Sequence, residues 1–160
     1  MFQFLLLSLL ALLALALGST PEGLAFLAAN KDKEGVVTLP SGLQYKVLVS
    51  GPEGGLTPKV NSPCDCHYRG YLMDGVTEFD SSYKRGTTTK FAPNQVIKGW
   101  TEAMQLMKEG DKWQLFIPSE LAYGNRQQGR YITPGAVLLF DIEIVKVKSG
   151  GYVRDTSGDL

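Results

Sequence analysis

The feature that most constrains the fold is an alternation of apolar and polar residues in four separate segments. In "VLLFDIEIVKVK" (residues 137–148) one face is apolar, while Asp141 and Glu143 lie on the other. The residues that share an apolar face within each segment are Leu43, Tyr45, Val47 and Val49; Cys64, Cys66 and Tyr68; Trp113, Leu115 and Ile117; and Leu138, Phe140, Ile142 and Ile144. Because successive side chains of a strand point to opposite faces, this period of two predicts an antiparallel sheet with one solvated face.

One helical segment, "VIKGWTEAMQLMKEGD", interrupts the predicted strands. Its apolar residues fall on one stripe, namely Trp100, Ala103, Met104 and Met107. Gly110 is a suitable residue for the C-terminal cap of this helix. We therefore predict an α+β fold, in which a curved antiparallel sheet of five or so strands wraps around one short helix. The polar, glycine-rich stretch "AYGNRQQGRYITPG" that comes later is long for a loop, and such loops are usually functional or disordered.

The first eighteen residues differ from the rest of the chain. They are apolar from Phe4 to Leu17 except for Ser8, and small residues precede a possible cleavage site ahead of Ser19. This pattern predicts a secretory signal peptide, because a membrane-spanning helix needs about 20 apolar residues. No Lys or Arg precedes the apolar run, so an uncleaved membrane anchor is the alternative.

The remaining chain divides into three expected parts. Residues 19–35 are predicted to form a short helix over Pro21–Asn30 followed by a polar linker, with Thr20 as the helix N-cap. Residues 36–148 are predicted to form the folded domain. Residues 149–160 are polar and contain glycine, so they are predicted to be a flexible tail.

Several functions are disfavoured by composition. Sixteen basic residues balance sixteen acidic ones without a basic stripe, so no nucleic-acid partner is expected. Cys64 and Cys66 are predicted to be buried core residues, because their spacing suits neither a disulfide nor, with His67 on the opposite face, a metal site. A hydrolase triad is disfavoured because His67 is the only histidine and is not expected to reach Ser81 or Ser82.

A charge beside an aromatic ring marks the candidate site. Asp80 directly follows Phe79, and Arg85 lies five residues later, where it could pair with the carboxylate. An isolated carboxylate is costly to bury, so the pair suggests a functional position. An ordinary surface salt bridge, worth about 0–1 kcal/mol, is the alternative. Other aromatic residues at the ends of elements or on apolar faces could equally form a plain core, namely Tyr68, Trp100, Tyr123 and Phe140.

Three segments together resemble the FKBP-type peptidyl-prolyl cis-trans isomerases. They are "VNSPCDCHYRGYLMDGVTEFDSSYKRG", "QVIKGWTEAMQLMKEGDKWQLFIPSELAYG" and "ITPGAVLLFDIEIVKV". The preceding segment, "FLAANKDKEGVVTLPSGLQYKVL", is similar to the macrophage infectivity potentiator-like branch. The resemblance spans Phe26 to Val147 and implies an FKBP-like sheet of five to six strands around one helix, with a pocket between helix and sheet.

The resemblance also implies the residues of the site. The implied lining is Trp100 at the floor, Tyr68, Phe79 and Phe140 in the walls, Val96 and Ile97 at the entrance and Ile132 on the far side. The Ile97 N–H would hold a ligand carbonyl, and Tyr123 would offer its hydroxyl from the rim. Asp80 would lie at the pocket edge with Arg85 as its partner. Catalytic roles fall to Asp80, Tyr123, Phe79 and Tyr68, and substrate-binding roles to the others.

Three rim positions depart from the family pattern. Thr89 stands where a second rim phenylalanine is common, Gln128 where histidine is common, and Tyr131 where isoleucine is common. These changes leave the floor intact but bear on substrate preference and on affinity for macrolides such as rapamycin.

The implied function is accelerated rotation of X–Pro bonds in proline-containing polypeptides, which assists protein folding without a cofactor or metal. A non-catalytic binding module or chaperone on the same fold is the alternative. The N-terminal helix is too short for a dimerisation arm, so a monomer is expected. The expected location is the secretory pathway (ER lumen or secreted) or another translocated compartment, or a membrane if the leader is uncleaved.

Overall fold

The computed structural model describes residues 18–154. The helices are α1 (Pro21–Asn30), α2 (Ser82–Arg85) and α3 (Lys98–Met104), with 3₁₀ turns at Pro93–Gln95 and Ser119–Leu121. The strands are β1 (Val36–Thr38), β2 (Gln44–Val49), β3 (Leu56–Thr57), β4 (Cys64–Leu72), β5 (Glu78–Ser81), β6 (Thr89–Phe91), β7 (Lys112–Ile117), β8 (Leu138–Val147) and β9 (Tyr152–Val153).

Seven strands form one antiparallel sheet in the order β1-β2-β7-β8-β4-β5, with β6 also paired to β4. Strand β5 pairs with residues 69–71 of β4 and β6 with residues 64–66, so both share one edge of β4. The sheet is therefore six positions wide, and the predicted α+β architecture is confirmed. Register shifts within the β2–β7, β4–β5 and β4–β8 pairs bend the strands around α3.

Helix α3 fills the concave face of the sheet but is shorter than predicted. It buries Trp100, Ala103 and Met104, and Met107 is buried in the turn that follows. The amides of Leu106 and Met107 both donate to the Ala103 carbonyl, so the regular helical ladder ends there. The prediction that Gly110 caps this helix is therefore wrong. With φ +84°, Gly110 forms instead the turn before β7 and packs against Pro52.

The opposite face of the sheet is not uniformly solvated, contrary to the prediction. Helix α1 covers one end of it, where a second apolar cluster is buried: Leu27, Tyr71, Phe116, Val137 and Leu139. Under the helix, the buried Asn30 amide donates to Gln44 Oε1 over 2.9 Å, and Gln44 Nε2 donates to the Leu27 carbonyl over 2.9 Å. Phe116 and Leu139 are the positions at which the period-two alternation is broken.

Cys64 and Cys66 are free thiols that lie fully buried in the main core. Both side chains contribute to the cluster around α3, which confirms their prediction as core residues. Burial raises the pKa of the Cys64 thiol to about 11 and pushes the pKa of Cys66 upward as well, so both remain protonated at neutral pH.

The C-terminal segment differs from the predicted flexible tail as far as Arg154. Tyr152 and Val153 pair with Thr57 and Leu56 as β9, and Arg154 Nη2 donates to the Gln105 carbonyl over 2.7 Å. Residues 155–160, the rest of that predicted tail, lie outside the described residues. Residues 1–17, which hold nearly all of the predicted signal peptide, also lie outside them. Within residues 18–154, none of the helices has the length and hydropathy needed to cross a membrane.

The start of the described chain is tied to the loop of residues 122–135. The Ser19 amide donates to Glu120 Oε1 over 3.1 Å, and the Ser19 hydroxyl donates to Glu120 Oε2 over 3.1 Å. Thr20 N–H donates to the Gly135 carbonyl over 3.0 Å. Because Glu120 precedes the loop and Gly135 ends it, the N-terminal residues hold both ends of the loop.

Replacing Glu120 should loosen this attachment. Ser19 is 2% exposed, so in Glu120→Ala its amide loses its acceptor and its hydroxyl keeps only the longer contact to Ser119 Oγ at 3.3 Å, where water has little access. We expect a loss of about 1–2 kcal/mol in the free energy of unfolding, measured by urea denaturation. Glu120→Gln keeps one acceptor oxygen and should lose less. In the control Glu102→Ala, which removes an exposed contact to Ser41, the change should stay within about 0.5 kcal/mol. Equal free energies of unfolding for Glu120→Ala and Glu120→Gln would contradict the assignment of the Glu120 carboxylate as the acceptor for Ser19.

Candidate active site

A cavity of about 690 Å³ opens between α3, the β4–β5 edge and the loop of residues 122–135. Nine of the ten predicted site residues line it, namely Tyr68, Phe79, Asp80, Val96, Ile97, Trp100, Tyr123, Ile132 and Phe140. The tenth, Arg85, is not in the lining but contacts Asp80 from outside. The structure thus brings the predicted residues together around one concave surface.

Trp100 lies at the centre of the apolar part of the cavity, in the first turn of α3. Its indole makes edge-to-face contacts with the rings of Tyr68, Phe91 and Phe140, at centroid distances of 5.3, 5.6 and 5.1 Å. Phe79 continues the array by an edge-to-face contact with Phe140 at 5.5 Å. Such geometry is favourable between aromatic quadrupoles and fixes ring orientation. The indole is 4% exposed, and its buried Nε1–H has no acceptor within residues 18–154.

Gly70 allows the aromatic wall to approach the sheet. A Cβ at this position would lie 2.5 Å from Phe79 Cε2 and 2.6 Å from Phe140 Cε1. Any larger residue would therefore push both rings towards the cavity or out of it. The glycine in "CDCHYRGYL" is thus required by the packing of the site, not by the turn geometry of the backbone.

The polar edge of the cavity is a closed cycle of three hydrogen bonds. Arg85 Nη1 donates to Asp80 Oδ1 over 2.5 Å, and the Tyr68 hydroxyl donates to Asp80 Oδ2 over 2.6 Å. Arg85 Nη2 donates to the Tyr68 hydroxyl over 2.8 Å and to Thr89 Oγ1 over 3.3 Å. Although both charged side chains are nearly half exposed, the tyrosine makes this more than an isolated surface ion pair.

Helix α2 positions the Arg85 guanidinium beside the Asp80 carboxylate. The Ser81 hydroxyl accepts a hydrogen bond from Lys84 N–H as the N-cap, and Gly86 ends the helix in the left-handed conformation at φ +72°. One helical turn after Asp80 thus returns the chain so that the guanidinium faces the carboxylate. The sequence spacing of five residues between Asp80 and Arg85 follows from this single turn.

The cycle also sets the protonation of its members. Burial opposes ionisation of Asp80, but the hydrogen bonds from Tyr68 and Arg85 outweigh it and hold the pKa of the carboxyl below its usual value. Burial, together with the hydrogen bond to Asp80, raises the pKa of Tyr68. At neutral pH the site therefore has an ionised Asp80 beside a protonated Tyr68.

Besides the Trp100 indole, two further hydrogen-bond donors of the lining have no acceptor among the described residues. Neither the Ile97 backbone N–H nor the Tyr123 hydroxyl donates a hydrogen bond within residues 18–154, and both residues line the cavity. Burial, and secondarily the charge of Asp80, raises the pKa of Tyr123, so its hydroxyl keeps its proton. Both groups are available to bind carbonyl oxygens of a ligand.

The structure adds lining residues that the sequence analysis missed. Phe91 lines the cavity and contacts Trp100, whereas Thr89, the predicted rim position, lies outside the lining and accepts from Arg85. Phe91 belongs to a strand of three residues, which is too short to show a period. Gln128 and Tyr131 line the rim as its predicted variable positions. Arg126 and Arg130 also line it and were not predicted.

One geometric expectation was wrong. His67 does reach Ser82, with 2.9 Å between Nδ1 and the hydroxyl oxygen, because β4 and the start of α2 lie side by side. However, Ser82 is fully buried and accepts a hydrogen bond from Tyr68 N–H over 2.8 Å. His67 stacks on Tyr83 at 4.7 Å, outside the cavity. The contact therefore supports the backbone of Tyr68 and offers no accessible nucleophile.

Titration of Asp80 should test the cycle. We expect its pKa, followed by NMR of the carboxyl carbon, to lie below the usual value of about 3.9. Tyr68→Phe and Arg85→Gln should each raise it, because each removes a donor to the ionised form. Asp74, whose pKa is held down by hydrogen bonds from Thr77 and the Val76 amide, is the internal control and should not move.

The sign of the accompanying stability effect is fixed by the direction of the shift. Because the folded-state pKa of Asp80 is lowered, its contribution is present above the unfolded pKa and is lost as pH falls through the folded pKa. The Asp80 side chain is 43% exposed, so this contribution should not exceed about 1 kcal/mol. An Asp80 pKa that does not respond to either substitution would exclude the hydrogen-bond cycle.

The chain is similar to known families, curated proteins and solved structures. The family model described as FKBP-type peptidyl-prolyl cis-trans isomerase matches residues 54–145. A second one, described as the domain amino terminal to FKBP-type peptidyl-prolyl isomerase, matches residues 15–47. Together the two matches cover α1, the central sheet and α3.

Individual proteins agree with these matches. The chain is 48% identical to the macrophage infectivity potentiator of Trypanosoma cruzi over 82% of its length, and 48% identical to the outer membrane protein MIP of Legionella longbeachae over 79%. It spans 66% and 53% of those two proteins. The crystal structure of a peptidyl-prolyl cis-trans isomerase from Pseudomonas syringae pv. tomato is similar, with TM-score 0.72 and 37% identity over 80% of this chain and 92% of that one.

Proposed function

The chain belongs to the FKBP-type peptidyl-prolyl cis-trans isomerases, and we propose that it catalyses cis–trans rotation of X–Pro bonds in polypeptides and so assists their folding. The observation that carries the proposal is the Trp100 indole, held by three edge-to-face contacts at the floor of a cavity that is open to solvent. A proline ring is an apolar, compact group of the kind that such a floor accommodates.

The reaction to be accelerated is a rotation and breaks no bond. A peptide bond resists rotation by about 18–20 kcal/mol because the nitrogen lone pair is delocalised into the carbonyl. For X–Pro bonds the uncatalysed exchange takes tens to hundreds of seconds. In the twisted transition state the lone pair and the carbonyl are decoupled, so the amide is less polarised than in its planar ground state.

The aromatic lining favours this less polar state. Rings of Tyr68, Phe79, Phe91, Trp100 and Phe140 replace water around a bound proline, and an apolar surround stabilises the planar, polarised amide less than water does. Binding that is stronger for the twisted form than for the flat one lowers the barrier. No proton transfer or covalent intermediate enters this mechanism.

The polar groups around the cavity orient the substrate. The Ile97 N–H and the Tyr123 hydroxyl, both free of protein acceptors within the described residues, would bind carbonyls on either side of the rotating bond. Held in this way, the flanking chain stays still while the imide turns. Asp80, ionised and fixed by Tyr68 and Arg85, would supply the electrostatic feature next to the rotating carbonyl.

Activity measurements on two variants test these roles. Asp80→Ala should lower kcat/KM for isomerisation of a proline peptide about tenfold or more, because a hydrogen-bonded charge is worth about 1.5–3 kcal/mol. Trp100→Leu should impair substrate binding most, because it removes the floor and its edge-to-face contacts. NMR exchange measurements give the rates, and circular dichroism checks that both variants fold. Asp32→Ala removes an exposed carboxylate of the linker and should leave the rates unchanged.

The same assay separates an enzyme from a binding module. Wild-type protein that binds proline peptides without accelerating their exchange would establish the module and refute catalysis. Unchanged rates in both the Asp80 and Trp100 variants would refute the proposed site.

Ligands other than polypeptides depend on the rim. We extend the proposal to macrolides such as rapamycin, since the aromatic floor that would hold proline also suits the apolar ring of such a ligand. The rim residues Gln128 and Tyr131 differ from the family pattern, and they should set the affinity for such macrolides.

The monomeric state expected from the short α1 also remains a prediction.

A secretory route is proposed for the chain. Residues 4–17 have the apolar composition of a signal peptide, and one similar protein is named an outer membrane protein. Cleavage ahead of Ser19 would leave an ammonium group 3.1 Å from Glu120 Oε1, where a carboxylate is already positioned to accept it. N-terminal sequencing of protein from its native host should therefore begin at Ser19. A mature chain that still begins at Met1 would instead establish the anchored form.

A further inference from the structure

We propose that this site selects X–Pro bonds flanked by an acidic residue, and that Arg126 and Arg130 are the specificity-determining residues. The inference rests on the proposed isomerase function. It concerns the chemistry of the substrate segment on either side of the proline, which the aromatic floor does not distinguish.

The charges around the cavity do not cancel. Arg126, Arg130 and Asp80 are the charged residues among those that line it. Asp80 is already neutralised by Arg85 at 2.5 Å. Neither Arg126 nor Arg130 takes part in an ion pair within residues 18–154, although six such pairs occur there. The rim therefore carries two uncompensated guanidinium groups on a chain whose net charge is zero.

The two arginines lie on the loop that also supplies Tyr123 and Ile132 to the cavity. Backbone bonds restrain this loop, from Gly135 N–H to the Gly124 carbonyl over 2.8 Å and between Gln128 and Ile132 over 2.9 Å. Arg130 is further held over the ring of Tyr131, at 5.4 Å from its centroid. Both positive charges thus lie at the rim of the cavity in which the proposed proline substrate would bind.

An arginine without a partner favours a carboxylate over other side chains. Its planar guanidinium can donate two parallel hydrogen bonds to one carboxylate, and it remains charged at every physiological pH. Both side chains are exposed, so each pairing should change affinity only about two- to fivefold and should weaken with salt. The preference is therefore expected to be a bias among substrates, and not an absolute requirement.

The test uses short peptides with one proline and either Glu, Gln or Lys next to it. The variable residue is placed before the proline in one series and after it in a second, and kcat/KM for exchange is measured by NMR at low and high salt. In at least one series we expect kcat/KM for the Glu peptide to exceed kcat/KM for the Lys peptide by about three- to tenfold at low salt. This ratio should shrink at high salt.

The variants assign the effect to the rim. In the double variant Arg126→Gln/Arg130→Gln the Glu-to-Lys ratio should fall to near one, and each single variant should lie between. Lys31→Gln, which removes a positive charge outside the cavity lining, is the matched control and should keep the wild-type ratio. Exchange of the Gln peptide by the wild-type protein measures the isomerase activity itself.

The outcomes separate the two proposals. A ratio near one in both series, with the Gln peptide turned over, overturns the acidic preference and leaves the isomerase proposal standing. A ratio that persists in the double variant overturns the assignment to these arginines. Absence of exchange with every peptide overturns the isomerase proposal, and the substrate preference with it.

Discussion

The contact on which the site depends is the packing of the Trp100 indole against the concave face of the sheet. The ring makes edge-to-face contacts with Tyr68 of β4, Phe91 of β6 and Phe140 of β8. Its orientation is therefore set by three strands that are distant in sequence. Two glycines make this possible, since a side chain at Gly70 would strike the wall rings and one at Gly99 would come within 2.7 Å of Ile117. The sheet must curve around α3 for all of these edges to meet one indole.

The polar edge of the site is held by hydrogen bonds, whereas the floor is held by ring packing. Asp80, Tyr68 and Arg85 satisfy one another almost completely, so the cycle adds a fixed charge beside the cavity without leaving an unpaired buried group. Two donors in the cavity lining, the Ile97 amide and the Tyr123 hydroxyl, have no acceptor within the described residues. The charged groups at this edge are thus paired with one another, while the Ile97 amide and the Tyr123 hydroxyl stay available to a ligand.

Local periodicity predicts only part of this structure. The alternation in β4, β7 and β8 was enough to infer the antiparallel sheet and the burial of Cys64 and Cys66, because each strand has its own inward face. The resemblance, not the periodicity, predicted the nine lining residues. Features that escaped prediction arise from contacts between distant segments, which no local pattern records. Helix α1 covers Phe116 and Leu139, the Ser19–Glu120 tie joins residues 101 apart, and Phe91 enters the cavity from a three-residue strand.

The division between floor and rim explains how such a site can change its substrates while it keeps one reaction. Rotation about an imide needs an apolar surface and positioned donors, and these come from the sheet, α3, the residue that precedes α3 and Tyr123 at the start of the loop of residues 122–135. The rim comes from residues 122–135, whose ends are fixed by Ser19, Thr20 and the Gly124–Gly135 hydrogen bond while residues 125–131 between them stay exposed. If the proposed function holds, substitutions among those exposed residues would alter which flanking residues are favoured without moving the indole, so charge at the rim and the aromatic floor would vary independently.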